Sequence, residues 1–388
     1  MRSRTNSTVS ASQVHQWALQ WLVQAELLKK SSRRICTAEV VWSIVLRAAA
    51  QMISIYAACL DLEDGPSDQA VFDALAAGLP KTLSVLERRL NEALTNYLPR
   101  SMRRRAWHIA IDWHLVPYYG KPQRSKNELY YGKPRQGTKH FHAYATACIV
   151  VHGQRYTLAL SWVRRHETTV TALKRLIARI RVLGLKIKVL LMDRAFFNVP
   201  VTAYLKEERL PFLMPVMFRG RKPKKKKPPT GLRWIEKQGA GRYPHTLKNG
   251  RNQVPITVIV AYRTYKKGKR RLQQKLLFGA WRVGGDPQYI RKLYRTRFGI
   301  EASYRQLRQA RIYTCTRNPH LRLVFIGIAL LLRNLWVWIH AEQLGEKQDH
   351  CRTVRLEQLR FKRMLQWLVK AIAALLHDAP TPCVANED

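Results

Sequence analysis

DPQYIRKLYRTRFGIEASYRQLRQARI, residues 286–312, is the stretch on which the reading of the fold turns. Asp286 followed by Pro287 is a helix start: a carboxylate to accept the free N–H groups of the first turn, then a proline where its missing N–H costs nothing. The pattern predicts one helix of about six turns. Only Gly299 interrupts it, at about 1 kcal/mol against alanine. At about 100° per residue, Tyr294, Arg297, Glu301 and Arg308 fall on one narrow stripe. Leu293, Ile300, Tyr304 and Leu307 make an adjoining apolar stripe. One carboxylate therefore stands among arginines at the edge of a packing face, where a core helix would carry a catalytic acid over a phosphate-binding surface. Taken alone, a glutamate so placed is more commonly a surface ion pair at three- and four-residue spacing, so the rest of the chain decides.

Working outward, the 388 residues are 46% apolar, enough for two or three domains with real cores. Lysine and arginine outnumber aspartate and glutamate by 69 to 25, a net charge of +44. Such a surface binds polyanions, and for a folded chain of this size the expected polyanion is nucleic acid. Cys36, Cys59, Cys148, Cys315, Cys351 and Cys383 form no CxxC pair, so neither a zinc site nor a disulfide framework is indicated, and reduced intracellular thiols are expected. The amino terminus lacks an apolar signal core. The run LVFIGIALLLRNLWVWIH from Leu323 is broken by Arg333 and Asn334 well before a ~20-residue membrane span, so it reads as a buried core helix with no membrane role.

Residues 1–100 read as a helical amino-terminal DNA-binding region. Trp17, Leu19, Leu22, Leu27 and Leu28 mark one segment, and Val40 to Leu60 a second. Ser67 caps a short helix ended by Gly78, and Leu83, Leu86, Leu90 and Leu94 stripe the next. Short helices with tight turns suit helix-turn-helix-like DNA binding and also ordinary scaffolding. The period then changes. Trp107 to Val116 is β-like with Asp112 at its centre, and residues 117–139 read as a loop holding Tyr-Tyr-Gly-Lys-Pro twice. Phe141 to Val151 and Arg155 to Val163 form a hairpin about His152-Gly153, Thr168 to Leu183 a helix, and Ile187 to Met192 a continuous apolar strand ending on Asp193.

Ligand sites of such sheets lie at the carboxyl ends of strands, which is where Asp193 stands. It could also merely cap the following helix. An aspartate in mid-strand, as Asp112 is, costs free energy unless it is ionised against a metal or a cation. Leu213 to Phe218, Leu232 to Glu236, Val254 to Tyr262 and Leu272 to Trp281 read as antiparallel strands of an inserted β subdomain, residues 206–284. Its basic loops are RGRKPKKKKPP, carrying Lys224, Lys225, Lys226 and Lys227, and TYKKGKRR; the first is expected to act as an arm on DNA. A last helix, Val354 to Leu376, and a tail complete residues 346–388. The fold class is thus α/β, with the catalytic core formed by residues 101–205 and 285–345.

Phosphodiester cleavage needs a deprotonated water and a stabilised leaving oxygen. Two divalent ions held by carboxylates supply both, and Mg²⁺ takes only one or two carboxylates per ion, so three acids can serve a pair. Asp112, Asp193 and Glu301 are that minimum set. In this arrangement the chain resembles the DDE transposases of bacterial and archaeal insertion sequences, in the insertion-sequence-four type superfamily, whose signature is Tyr, two residues, Arg, three residues, Glu, six residues, Lys. Here it is Tyr294, Arg297, Glu301 and Arg308, with Arg replacing Lys at the last position, which keeps the charge and alters its geometry. VPYYGKP, GTKHFHAYATACIVVHGQRYTLAL and LLMDRAFFN look most like a haloarchaeal-type branch. The resemblance, over about residues 105–340, implies a ribonuclease-H-like core, two Mg²⁺ or Mn²⁺ ions on Asp112, Asp193 and Glu301, nicking at transposon ends and strand transfer by the freed 3′-hydroxyl. It also implies that Tyr294, Arg297 and Arg308 contact the DNA near the cleaved end. Trp234 and Trp281 are candidates to stack a flipped base.

The expected partners are double-stranded DNA (inverted repeats and target) and a second copy of the chain in a homodimer on DNA, in the cytoplasm with the nucleoid. A catalytically retired, domesticated DNA-binding form is the alternative. His140 and His142 share one side of their strand, a weak metal pattern without a third ligand; His166-Glu167 reads as a supporting pair or plain surface. No GxxxxGK[ST] motif occurs, so ATP use is not indicated.

Overall fold

The computed structural model describes residues 8–29, 36–151, 155–222, 228–268, 270–348, 351–353 and 356–379. Five helices come first: α1 (Ala11–Gln24), α2 (Ala38–Gln51), α3 (Ile55–Leu60), α4 (Asp68–Gly78) and α5 (Leu83–Thr95). Strands β1 (Ala106–Pro117), β2 (Tyr130–Arg135), β3 (Thr138–Ile149) and β4 (Thr157–Val163) follow. Then come α6 (Thr169–Val182), β5 (Lys186–Met192), α7 (Val199–Glu207), β6 (Phe212–Pro215), β7 (Gly241–Asn249), β8 (Asn252–Lys267) and β9 (Arg270–Trp281). The chain continues through α8 (Pro287–Arg295), α9 (Phe298–Leu307), α10 (Pro319–Trp338), the small ribbon β10 (Glu346–Gln348) and β11 (Cys351–Thr353), and α11 (Phe361–Leu376).

One mostly antiparallel nine-stranded sheet carries the molecule, in the order β2-β3-β1-β5-β6-β9-β8-β7, with β4 also on β3. β1 runs antiparallel to β3 but parallel to β5, and β5 parallel to β6. Because strand side chains alternate, Ile109 and Ile111 of β1 and Leu190 and Met192 of β5 join the large core shared with α1, α2, α5, α6, α10 and α11. Ala110, Val189 and Leu191 face the other way, into a smaller core closed by Ile290 and Leu293 of α8 and Ile300 of α9. Asp112 and Asp193 have the parity of that second face.

Four local expectations are corrected. The 286–312 helix is two helices, because the hydrogen bonds tighten at Thr296 and Arg297: the N–H groups of Thr296, Arg297, Gly299 and Ile300 each reach three residues back, and the Thr296 hydroxyl donates to Leu293 O at 2.7 Å. Val40 to Leu60 divides into α2 and α3 because Met52 is left-handed (φ 59°) and the Ser54 hydroxyl starts a new helix by accepting from Ala57 N. Leu232 to Glu236 is not a strand: Arg233–Lys237 is a 3₁₀ turn whose carbonyls are gathered by Lys275 Nζ, at 3.3 Å from Ile235 O and 2.7 Å from Glu236 O. The last helix starts at Phe361, since the Leu359 carbonyl is occupied by Trp336 Nε1 at 2.7 Å and His340 Nε2 at 2.9 Å.

Four strands went unread: β2, inside the expected 117–139 loop; β7, whose Pro244 is tolerated because β7 is the sheet edge; and the short ribbon β10–β11, within residues 346–388, where only a last helix and a tail are expected. The β insertion continues the central sheet through β6 and β9. α10 is the expected core helix, buried along nearly its whole length. The His152-Gly153 turn and Lys224, Lys225, Lys226 and Lys227 lie outside the described residues.

Candidate active site

β1 and β5 are in register with Ile111 opposite Met192, so the next residues, Asp112 within β1 and Asp193 just past β5, stand side by side where the parallel pairing ends. Asp193 then caps the short 3₁₀ turn Arg194–Phe196 by accepting from Ala195 N at 3.2 Å. It caps that turn and not α7, which Asn198 starts. Across the smaller core, α9 brings Glu301 to the same place. Gly299 permits the approach, for a Cβ there would stand 3.2 Å from Val150 O and 3.0 Å from Arg155 Nε.

All three acids meet one guanidinium. Arg297 Nη2 lies 3.0 Å from Asp112 Oδ2 and 3.9 Å from Asp193 Oδ2, and Arg297 Nη1 is 3.3 Å from Glu301 Oε1. The Arg297 side chain is 5% exposed, whereas those of Asp193 and Glu301 are 43% and 51% exposed. The cation is therefore the buried member, and two of the carboxylates open to solvent. Burial would lower the Arg297 pKa, but Asp112, Tyr294, Asp193 and Glu301 around it more than offset that and raise it. Asp112 is raised: burial outweighs the Arg297 charge and the bond from Trp113 N, and the neighbouring Asp193 and Glu301 push the same way. A mid-strand aspartate held against a cation is what its position demanded.

Tyr304, read from sequence only as part of an apolar stripe, braces this end of β1. Its hydroxyl is 2.6 Å from Thr146 Oγ1, which sits opposite Asp112 in β3, and 3.4 Å from Asp112 O. Its ring lies against His114, with centroids 4.8 Å apart. His114 is lowered to about 4 by burial and by Arg308 and Arg311; Arg308 itself is exposed on the turn after α9 and belongs to this rim rather than to the acid cluster. Tyr294 sends its hydroxyl toward Met192 O at 3.4 Å. Of the sequence stripe, Tyr294, Arg297 and Glu301 are brought to the aspartates, and Arg308 is set apart.

Beside the acids runs a groove of about 820 Å³ with an apolar bed that includes Val216, Met217 and Phe278; Arg194, Arg263, Arg291, Tyr294, Arg295 and Phe298 also line it, and no acidic residue does. Sequence reasoning missed these arginines. Arg291 and Arg295 lie one turn apart on α8, beside the signature stripe rather than on it, and Arg194 adjoins Asp193. Neither candidate tryptophan lines this groove: Trp234 packs edge-on to Tyr243, and Trp281 lies beneath Arg282, whose Cζ is 4.4 Å from the ring centroid.

The weaker constellations resolve as structure. His142 is buried against the Tyr118 ring and lowered to about 3 by burial and then by Arg322, a cation that disfavours a metal beside it. Glu167 is bonded to Arg175. Among the described residues, no three His, Cys, Asp or Glu side chains are grouped to hold a single metal ion.

A family model described as Transposase DDE domain matches residues 103–335. No curated protein matches the chain. Among solved structures, the cryo-EM structure of a piggyBac transposase synaptic complex with hairpin DNA is similar in fold, with a TM-score of 0.54 over 98% of this chain and 84% of that chain, at 14% identity. The matched segment spans more than half of the sequence and contains Asp112, Asp193 and Glu301: the chain belongs to the DDE transposase family.

Proposed function

We propose that this transposase binds the ends of an insertion sequence, hydrolyses the phosphodiester bond there, and joins the freed 3′-hydroxyl to target DNA. The observation that carries the reading is the convergence of Asp112, Asp193 and Glu301, from three distant parts of the chain, on one guanidinium beside an arginine-lined groove. Strands β4-β3-β1 running antiparallel and β1-β5-β6 parallel, with Asp112 in the middle of β1 and Asp193 just past the end of β5, support a ribonuclease-H-like core.

The three acids suit Mg²⁺ or Mn²⁺: their donors are all hard carboxylate oxygens, and they already surround a positive charge. A pair of ions takes only one or two carboxylates each, so the lack of a three-ligand cluster among the described residues is compatible with two. When bound, such ions activate water and stabilise the leaving oxygen. The chain's own residues do the rest. Arg297 offsets the mutual repulsion of the acids, and Tyr304 with Thr146 fixes the strand that carries Asp112. The groove arginines take the phosphate backbone, with Tyr294 and Arg308 at its margin and Lys224, Lys225, Lys226 and Lys227 as an arm on the duplex. Two ends cut together imply a homodimer on DNA, and a substrate in the nucleoid places the protein in the cytoplasm. The signature stripe supports the insertion-sequence-four type superfamily, and VPYYGKP, GTKHFHAYATACIVVHGQRYTLAL and LLMDRAFFN its haloarchaeal-type branch.

The test is a nicking assay with Mg²⁺ on duplexes carrying the element's inverted repeats, comparing wild type with Glu301→Gln. Nicks at the repeat ends by wild type alone are expected. Binding without cleavage by both proteins would replace this reading with a retired, DNA-binding transposase.

A further inference from the structure

A second basic hollow, of about 470 Å³, lies on the other side of the α8–α9 junction from the groove beside the acids. Its lining includes His108, Arg155, Arg295, Phe298, Gly299 and Arg305, and no acidic residue. Arg295 and Phe298 line both hollows, so the two meet along one ridge. Phe298 is 49% exposed on that ridge.

Two lining residues hold buried nitrogens with no hydrogen-bond partner among the described residues: Arg155 Nε and His108 Nε2. A buried donor left without an acceptor is costly, and the guanidinium groups that rim this hollow offer a tetrahedral oxyanion several charged donors at once. Gly299 is part of the same design. Its missing Cβ lets the Arg155 side chain lie against α9, where a Cβ would stand 3.0 Å from Nε. His108 is lowered by burial and by Lys188, a further positive charge near this end of β1.

We infer that this hollow is a second phosphate-binding site, in which Arg155, Arg295, Arg305 and His108 take backbone phosphates of the same DNA duplex that occupies the groove beside the acids. The shared ridge of Arg295 and Phe298 gives that backbone one continuous path across α8–α9, from the reacting end toward the amino-terminal end of β1. The inference rests on the DNA-cleaving reading above and adds to it a track that none of the three acids touches.

The experiment is fluorescence anisotropy with a labelled 40-base-pair duplex titrated across salt, for wild type, Arg155→Gln, Arg305→Gln and Arg291→Gln, each checked for an unchanged melting transition. Removing one phosphate-binding charge should reduce the slope of log K against log salt by about 0.9. Arg305→Gln, an exposed change that spares the fold, is expected to do so and to weaken binding about 3- to 10-fold at low salt. Arg155→Gln should behave alike, and the same duplex should still bind one per site. Unchanged slopes for Arg155→Gln and Arg305→Gln, with a reduced slope for Arg291→Gln, would overturn this site and leave the DNA reading standing. Loss of only a second, weaker duplex from Arg305→Gln would overturn the single path. No duplex binding by wild type would overturn both readings.

Discussion

Two arginine–carboxylate clusters lie on the two faces of the sheet, built from the same chemistry to opposite ends. In the first, Arg175 of α6 joins Glu167 and approaches Glu87 of α5, while its Nε and Nη2 reach Ser161 Oγ and Trp162 O, both at 2.7 Å. There the carboxylates are the buried members, with side chains 11% and 10% exposed, and the arginine is 32% exposed. Glu87 also accepts from Trp162 N at 2.7 Å and from the Ser161 hydroxyl. In the second, Arg297 is the buried member and Asp193 and Glu301 look outward. Saturated, inward-facing acids tie α5 and α6 to β4; under-bonded, outward-facing acids are available to a substrate. The direction of exposure, more than the presence of ion pairs, separates a strut from a site.

The largest expected effect is on the strut. Glu87→Ala leaves the Trp162 N–H, the Ser161 hydroxyl and part of the Arg175 charge without a buried partner, and should cost about 3–5 kcal/mol in denaturant unfolding. Nicking by the molecules that remain folded should be unaltered. Burial raises the Glu87 pKa, with Arg175, the Trp162 N–H and Ser161 pulling back. The folded state therefore binds that proton more tightly than the unfolded state. Its contribution to stability is greatest at acid pH and declines as pH rises from the unfolded value of about 4.3 through the folded one. Glu87→Gln should flatten the stability profile over that window. A collapse of cleavage with no loss of stability in Glu87→Ala would mean the roles of the two clusters are reversed.

Much of this contrast was legible in the sequence, and the missing part has a physical reason. Asp112 stood out because a charge amid alternating apolar residues is costly, and Asp193 because it ended a continuous apolar strand; both lie where those patterns put them. Helical spacing gathered Tyr294, Arg297 and Glu301 correctly. What periodicity does not carry is depth. It set Arg297 on a stripe with Arg308, yet one is buried among three acids and the other is exposed on a turn, because the helix tightens between α8 and α9 through main-chain bonds. Glu87 was unremarkable in the chain: it is held by the Trp162 N–H and Ser161 hydroxyl of β4, the former 75 residues away, and pairing at that range leaves no local trace. β7 was hidden by a proline that only an edge strand accepts.

The arginines sharpen the comparison at intermediate size. Arg297→Gln removes the charge that holds Asp112, Asp193 and Glu301 together, and should cost about 2 kcal/mol, less than a fully buried pair because two of the acids are half in water. Added Mg²⁺ should restore part of that loss in a thermal melt, since a divalent cation can take the place of the guanidinium among the three carboxylates. Arg175→Gln should destabilise to a similar degree and gain nothing from Mg²⁺, because Glu87 and Glu167 are buried and bonded to main chain. Equal responses of the two variants to Mg²⁺ would make the open cluster no more a cation site than the closed one.

The smallest effect is also the finest discriminator, and it concerns two hydroxyls. Tyr304 Oη lies between Thr146 Oγ1 and Asp112 O, and Ser161 Oγ donates to the Glu87 carboxylate. Each brace is a hydrogen bond of ordinary strength in a largely buried setting, so Tyr304→Phe and Ser161→Ala should each lower stability by about 1 kcal/mol. Their effects on cleavage should part company. The Tyr304 hydroxyl fixes the segment of β1 from which Asp112 projects, and a group that orients a metal-binding carboxylate typically matters by about 10- to 100-fold; Tyr304→Phe is expected near the lower end, as Thr146 and the ring contact with His114 remain. Ser161→Ala disturbs only the strut, and its nicking rate should match wild type at temperatures where both are folded. Single-turnover nicking and melting measured on the same two preparations decide the matter: a Tyr304→Phe enzyme that is destabilised yet cuts at the wild-type rate would show that Asp112 needs no brace from α9.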